Sequence, residues 1–192
     1  MGVFYLILML WIAIFFTQRK GFFNMKKIIK YLSIIFGVFL LDLTTKSVLL
    51  YLITGNVPVS GYAWNIVKYP YIMAHVTNWF NIVFTWNPGT SFSLFRHLGE
   101  ISPWIIVGAT GVIIALLVYY LLRRAGANEK LPLCFIIGGA LGNLIDRIRF
   151  GAVIDFIDWH IGDMHWPAFN VADMFIVIGV GLYIINLIFR KK

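Results

Sequence analysis

The 192-residue chain is 60% hydrophobic and only 12% charged, about half the charged fraction of a soluble globular domain, which excludes a water-soluble fold and points to an integral membrane protein. A net charge of +8 would suit a nucleic-acid binder, but the basic residues form short clusters beside apolar runs, the pattern of cytoplasmic membrane flanks. No nucleic-acid partner is expected. The single cysteine, Cys134, lies inside an apolar run, so an intrachain disulfide is impossible and core packing is its natural role.

Residues 1–24 do not read as a span. The apolar stretch Val3–Phe16 is short for crossing the hydrocarbon, no basic stretch precedes it, and no small-residue cleavage site follows. Met25-Lys26-Lys27 reads as the natural start of a membrane protein, so residues 1–24 are expected to be an extension ahead of the true start. The first span is read at about Tyr31–Ile53 and carries Asp42 and Lys46. Their i, i+4 spacing predicts an ion pair that lowers the cost of both charges in the bilayer. A functional alternative has Lys46 snorkelling to a lipid phosphate, or Asp42 holding an outer-loop turn.

Residues 54–100 form a long loop whose later part, NWFNIVFTWNPGTSFSLF, is rich in aromatic and β-branched residues and is divided by Asn87-Pro88-Gly89. That composition predicts strand–turn–strand and a small β-sheet resting on the outer face. Trp79, Trp86 and Trp104 suit the interfacial zone. Three further spans follow: Ile101–Leu122 without charge, Leu131–Ile148 with Asp146 and Arg147 at its far end, and Ala168–Phe189 with Asp173 near its start. The predicted fold is an all-α polytopic membrane protein of four transmembrane helices with a small extracytoplasmic β-sheet. Neither internal repeats nor low-complexity segments are visible.

Charge sets the orientation. Lys26, Lys27 and Lys30, then Arg123, Arg124 and Lys130, then Arg190, Lys191 and Lys192 fall on one side of a four-span protein, which is cytoplasmic by the positive-inside rule. Residues 54–100 and roughly 149–167 then face outward.

Five of the eight acidic residues (Asp146, Asp155, Asp158, Asp163 and Asp173) fall within one 28-residue stretch. An ionisable group at membrane depth costs about 2.5–3.5 kcal/mol, so such a cluster marks a functional site by default. Gly138 and Gly142 form a small-xxx-small pair suited to close helix packing. Asn143, Asp146 and Arg147 share a helix face and read as a structural hydrogen-bonded network, with Asp146 and Arg147 able to neutralise each other or a group from elsewhere. Asp155 lies beyond the helix end, in a segment opened by Gly151, and Asp173 follows Asn170 by three residues on the next helix. Each alone suits a helix cap or a solvated loop charge. Together, at one depth among Phe156, Phe169 and Phe175, they are positioned to face each other. Two close carboxylates do not both ionise easily, so one keeps a proton while the other acts as base, the equipment for activating water against an amide. Were the Asp155 segment helical, Asp158 one turn away would be the next candidate.

Asn87-Pro88-Gly89-Thr90-Ser91-Phe92 is a turn by its chemistry. Asp158, His160, Asp163 and His165 gather possible metal ligands, but without a zinc spacing they read as a wet polar loop, and neither metal nor cofactor is expected. Ser91 and Ser93 lack the nearby histidine that a nucleophile needs.

These motifs, in this order, resemble the lipoprotein signal peptidase family, the type II signal peptidases of bacteria. The resemblance rests on Asp42…Lys46, Asn87-x-Gly89-x-x-Phe92, Gly142-Asn143-x-x-Asp146-Arg147, Gly151-x-Val153-x-Asp155-Phe156 and Phe169-Asn170-x-Ala172-Asp173, and covers residues 25–192. It implies a multi-pass aspartyl endopeptidase of the bacterial inner membrane that cuts prolipoproteins just before the diacylglyceryl-modified cysteine. By motif match Asp155 and Asp173 are the catalytic pair, and Asn143, Arg147 and Asn170 line the site. Asp146 is a buried structural acid, and Asn87 and Gly89 belong to the loop beside it. Membrane lipid and globomycin-type cyclic peptides, which occupy the substrate groove, are the further partners the resemblance implies. The segment Gly55–Asn78 and the stretch WHIGDMHWPA look longer than a minimal member needs. An ion-coupled transporter would also carry intramembrane acids, but it usually needs internal repeats and midplane sites. A non-catalytic assembly factor could use the same polar face for binding.

Overall fold

Four helices follow from four apolar runs: α1 (Met25–Thr54), α2 (Ser102–Arg123), α3 (Ala127–Phe150) and α4 (Val171–Ile188). The computed structural model describes residues 25–54, 74–89 and 102–189; the expected extension 1–24 and Thr90–Phe92 of the turn motif lie outside them. All four helices are long and apolar enough to cross a membrane. Half of the apolar window of α3 is buried, against 6–17% for the others. That makes α3 the hub and leaves side chains such as Phe36, Leu116 and Val177 facing outward, as lipid permits. Ile35, Ile114, Leu121, Leu133, Cys134 and Ile137 form the core between α1, α2 and α3.

Local capping shifts two boundaries from those expected. Glu129 accepts a hydrogen bond from the Gly126 amide at 2.8 Å, so α3 begins four residues ahead of the apolar run. Asn170 and Asp173 cap α4 reciprocally, the Asn170 side chain accepting from the Asp173 amide at 3.0 Å and the Asp173 carboxylate from the Asn170 amide at 3.2 Å. The last span therefore starts at Val171, not Ala168.

Lys130 stacks over the Tyr31 ring at 5.3 Å, and Asn186 donates to the Asn128 carbonyl at 2.7 Å. The starts of α1 and α3 and the end of α4 thus share one end of the bundle, together with the α2–α3 connection. Small residues let the helices close up. A Cβ on Gly138 would meet Val38 Cβ at 2.7 Å, and one on Gly142 would strike the Asp42 carboxylate, so the expected pair packs against α1. Gly139 faces the other way, and its Cβ would overlap the Ala172 carbonyl oxygen. Backbone cannot yield there as a side chain can, so Gly139→Ala should cost about 1–3 kcal/mol. A thermal melt in detergent micelles indistinguishable from wild type would contradict this packing.

At the opposite end sits a four-stranded antiparallel sheet of β1 (Ala74–Thr77), β2 (Phe80–Asn87), β3 (Val153–Ile161) and β4 (Met164–His165), ordered β1-β2-β3-β4. Gly151, at φ 71°, ends α3 in the left-handed conformation and turns the chain directly into β3. The first hairpin among the described residues turns at Asn78–Trp79, and the strand expected beyond Asn87-Pro88-Gly89 lies outside them. The expected sheet is present, with one correction. The partner of β2 is β3, a segment read from sequence as a helix exit and a wet loop. Its alternation was obscured by Asp155 and Asp158, two carboxylates that are here buried within a strand.

Candidate active site

The site has a lower layer of buried charge. Lys46, 1% exposed, lies 2.8 Å from Asp42 Oδ2 and 3.0 Å from Asp146 Oδ2, and donates to Asn143 Oδ1 at 3.1 Å. The expected Asp42–Lys46 pair is thus one side of a larger cluster, and the ammonium turns into the bundle instead of snorkelling to lipid. Asp146 pairs with Lys46 across the bundle, the outside partner that sequence left open. Each carboxylate also holds a backbone amide: Asp42 Oδ1 accepts from Ala172 N at 2.8 Å, and Asp146 Oδ2 from Ile154 N at 3.2 Å. Asp42 therefore fixes the start of α4 rather than an outer-loop turn. Ala172 precedes Asp173 and Ile154 precedes Asp155, so the cluster positions the two aspartates through their neighbours.

Above it stand those two aspartates. Asp155, on β3 and 1% exposed, accepts from Asn170 Nδ2 at 2.6 Å and from Asn87 Nδ2 at 2.9 Å. Asn87 is oriented by accepting the Gly89 amide at 2.9 Å, and Gly89, at φ 79°, supplies the left-handed turn this needs. Asp173, half-buried on the first turn of α4, accepts from Asn143 Nδ2 at 2.8 Å. Asn170, fully buried, joins the two acids: its amide nitrogen reaches both Asp155 and Asn143 Oδ1 (3.2 Å), while its oxygen takes the Asp173 amide. Arg147 lies within charge reach of Asp173, Asp155 and Asp146. Its Nη1 donates to the Asn143 carbonyl at 3.3 Å, and its buried Nε has no partner among the described residues. Every site residue expected from sequence thus falls in one connected constellation.

Burial pushes the Asp155 carboxyl up to about 6, and the nearby Asp173 charge adds to the rise, against the opposing hydrogen bonds from Asn87 and Asn170. Asp158 belongs elsewhere. An odd spacing of three along a strand sends it to the opposite side of β3 from Asp155, where it accepts from Asn81 at 2.8 Å and meets His165 Nδ1 at 2.9 Å. The wet-loop reading fails for Asp158, which is 4% exposed, and so does its place as reserve catalyst. Asp163 is exposed in the β3–β4 turn. Sequence reasoning missed the amides of Ala172 and Ile154 as anchoring points, because backbone groups leave no residue signature.

A family model described as Signal peptidase (SPase) II matches residues 34–189. A lipoprotein signal peptidase of Paraburkholderia phytofirmans is 42% identical over 127 residues, 65% of this chain and 73% of that one. Another, from Sulfurihydrogenibium sp., is 35% identical over 172 residues, 87% of this chain and 96% of its own. A solved structure, described as a bacterial membrane enzyme determined by the in meso method, is similar with a TM-score of 0.64 at 29% identity, covering 84% of this chain and 94% of that one.

Proposed function

The chain belongs to the signal peptidase II family, and we propose that Asp155 and Asp173 are the carboxyl pair with which it hydrolyses its substrate. The protein is a multi-pass membrane aspartyl peptidase that processes prolipoproteins. The observation that carries the catalytic assignment is Asn170, whose single side chain donates to the Asp155 carboxylate and accepts the Asp173 backbone amide, tying the two residues together.

Two carboxyl groups so coupled share one proton. Burial favours that proton on Asp155, leaving Asp173 as the base. Asp173 takes a proton from water as the water oxygen attacks the scissile carbonyl. Asp155 hydrogen-bonds the developing oxyanion and then protonates the leaving amine. Arg147 Nε, without a partner among the described residues, is a buried donor available to a substrate carbonyl, which would repay the cost of leaving it unsatisfied. Asn143 and Asn170 hold the two acids in register. With the basic clusters in the cytoplasm, the site faces the outer side of the inner membrane. The bond cut is the one before the diacylglyceryl-modified cysteine, and the acyl chains lie between helices in the bilayer. Globomycin-type cyclic peptides would compete for this groove.

Purified protein in phospholipid vesicles should release the signal peptide from a diacylglyceryl-modified prolipoprotein and leave the unmodified precursor intact. Equal cleavage of both would remove the lipid from the recognition step.

The pH profile supplies a second test. The reaction needs Asp155 protonated, so kcat/KM should fall as pH rises through about 6. The Asn87 hydrogen bond favours ionised Asp155, so Asn87→Ala should move that alkaline limb upward by about 0.5–1 pH unit. A limb that stays put or moves down would count against Asp155 as the acid.

A further inference from the structure

The end of the sheet remote from the aspartates is two-sided. On one side a polar row crosses all four strands: His75 Nδ1 meets Asn81 Oδ1 at 2.9 Å, Asn81 Nδ2 donates to Asp158 at 2.8 Å, and Asp158 meets His165 at 2.9 Å. The other side is apolar. Trp159 and Ile161 follow Asp155 and Ile157 on the same side of β3. Met164 pairs with Ile161, and the Trp166 amide donates to the Trp159 carbonyl at 2.7 Å, which puts their side chains alongside. Trp79 joins them from the first hairpin turn, its carbonyl accepting the His160 amide at 3.1 Å. These five side chains and the stacked His160–His165 pair line a pocket of about 740 Å³.

The apolar groups are open. Ile161 is 81% exposed, Met164 76% and Trp166 68%. A patch of this size held in water would forgo about 25 cal/mol for each Å² it could otherwise bury. Its surroundings are fixed by the bundle. β3 leaves α3 only three residues after Phe150, and the chain enters α4 five residues after Trp166, so both roots of the hairpin lie at the ends of membrane-length helices. The apolar side is also the side of Asp155, whose hydrogen-bonded neighbours include Asn170, itself bonded to Asn143. Asn143 stands seven residues, about 10 Å, inside the end of α3. At its root both sides of β3 meet the helices, Asp155 through Asn170 and Ile154 and Phe156 through Leu49, Leu50, Phe150 and Val171, and where the strand extends past them the same layer is lipid. Tyr51 and Trp104, exposed at this end of α1 and α2, continue the aromatic belt expected at a bilayer surface.

We propose that the tip formed by Trp79, Trp159, Ile161, Met164 and Trp166 is a lipid-docking face that rests in the adjacent leaflet, with the polar row turned to water. This placement rests on the helices spanning a membrane and does not depend on the catalytic assignment. Asp155 lies four residues, about 13 Å, up the same strand, so docking of the tip holds that carboxyl at a set depth.

The test uses the full chain in phosphatidylcholine vesicles, with an environment-sensitive fluorophore on Met164→Cys or, separately, Asp163→Cys; the buried Cys134 serves as the unlabelled background in the parent. Quenching of the Met164→Cys label by brominated lipid should be at least about twofold stronger than that of the Asp163→Cys label, with aqueous iodide showing the reverse order. Ile161→Asp, an exposed position whose change spares the core, should lower lipid quenching of the Met164→Cys label. Iodide quenching both labels alike, with no effect of brominated lipid, would overturn the proposal. Shielding of the Met164→Cys label only after prolipoprotein is added would overturn it too, reassigning the tip to peptide binding.

Discussion

Asp155→Asn and Asp173→Asn should each lower cleavage of a lipidated prolipoprotein by about 10³-fold or more while the chain stays folded, at the upper range for loss of a general acid or base. The substitution keeps side-chain size and removes only the ability to hold or accept the working proton. Local hydrogen bonding adapts at modest cost. The partners of Asp155 are the side-chain amides of Asn87 and Asn170, and one can turn its oxygen toward a new amide. In Asp173→Asn the one remaining side-chain oxygen keeps a donor, the Asn170 amide or Asn143 Nδ2, and gives up the other, while Asn143 stays in place because Lys46 and Asn170 hold its oxygen. A melt near that of wild type, combined with lost turnover, is therefore the expected pair of readings. Asp158→Asn is the internal control. It removes a buried carboxylate from the same strand but from the opposite side, so turnover should remain within severalfold of wild type. Near-normal turnover in either Asp155→Asn or Asp173→Asn would end the assignment.

Lys46→Met should destabilise the protein by about 3–5 kcal/mol, because it leaves two buried carboxylates without their cation. Asp42 and Asp146 are each within 3.0 Å of that ammonium, and both are 0–1% exposed. The loss should reach the chemistry as well, since Asp42 grips the amide before Asp173 and Asp146 the amide before Asp155. Neutralising both acids in the same chain, as Lys46→Met with Asp42→Asn and Asp146→Asn, should recover much of the stability. Thermal melts of the single and triple variants in one detergent provide the measurement. An unchanged melting temperature for Lys46→Met would mean that the cluster does not hold the fold. Recovery of stability without recovery of turnover would separate the cluster's positioning role from its structural one.

Much of this architecture was legible in the residues. A helix in lipid needs about 20 apolar residues with its backbone satisfied internally, so composition alone located the four spans of the described residues, the start of the first falling six residues inside the helix at Met25 and the others lying closer. The site residues were legible because acids, amides and a lysine are costly among apolar neighbours and stand out. What misled was the sheet. In VIDFIDWHI the two acids fall on opposite sides of the strand and break the alternation, and carboxylates read as solvent markers, although Asp155 and Asp158 are both satisfied inside the protein. The strand's partner, β2, lies some 70 residues earlier, with Asn81 opposite Asp158, and local periodicity carries no information about such pairing.

By itself the sequence determined the solvent, the four spans among the described residues and the set of groups from which chemistry could be built. Those depend on transfer free energies and spacing along a helix, which are properties of short segments. Only the tertiary structure decided that Lys46 serves two acids at once, that Asp155 and Asp158 point to opposite sides of one strand, and that Asn170 lies between the two aspartates. Each of those depends on how distant segments meet, where a shift of one residue in register turns a buried carboxylate into an exposed one.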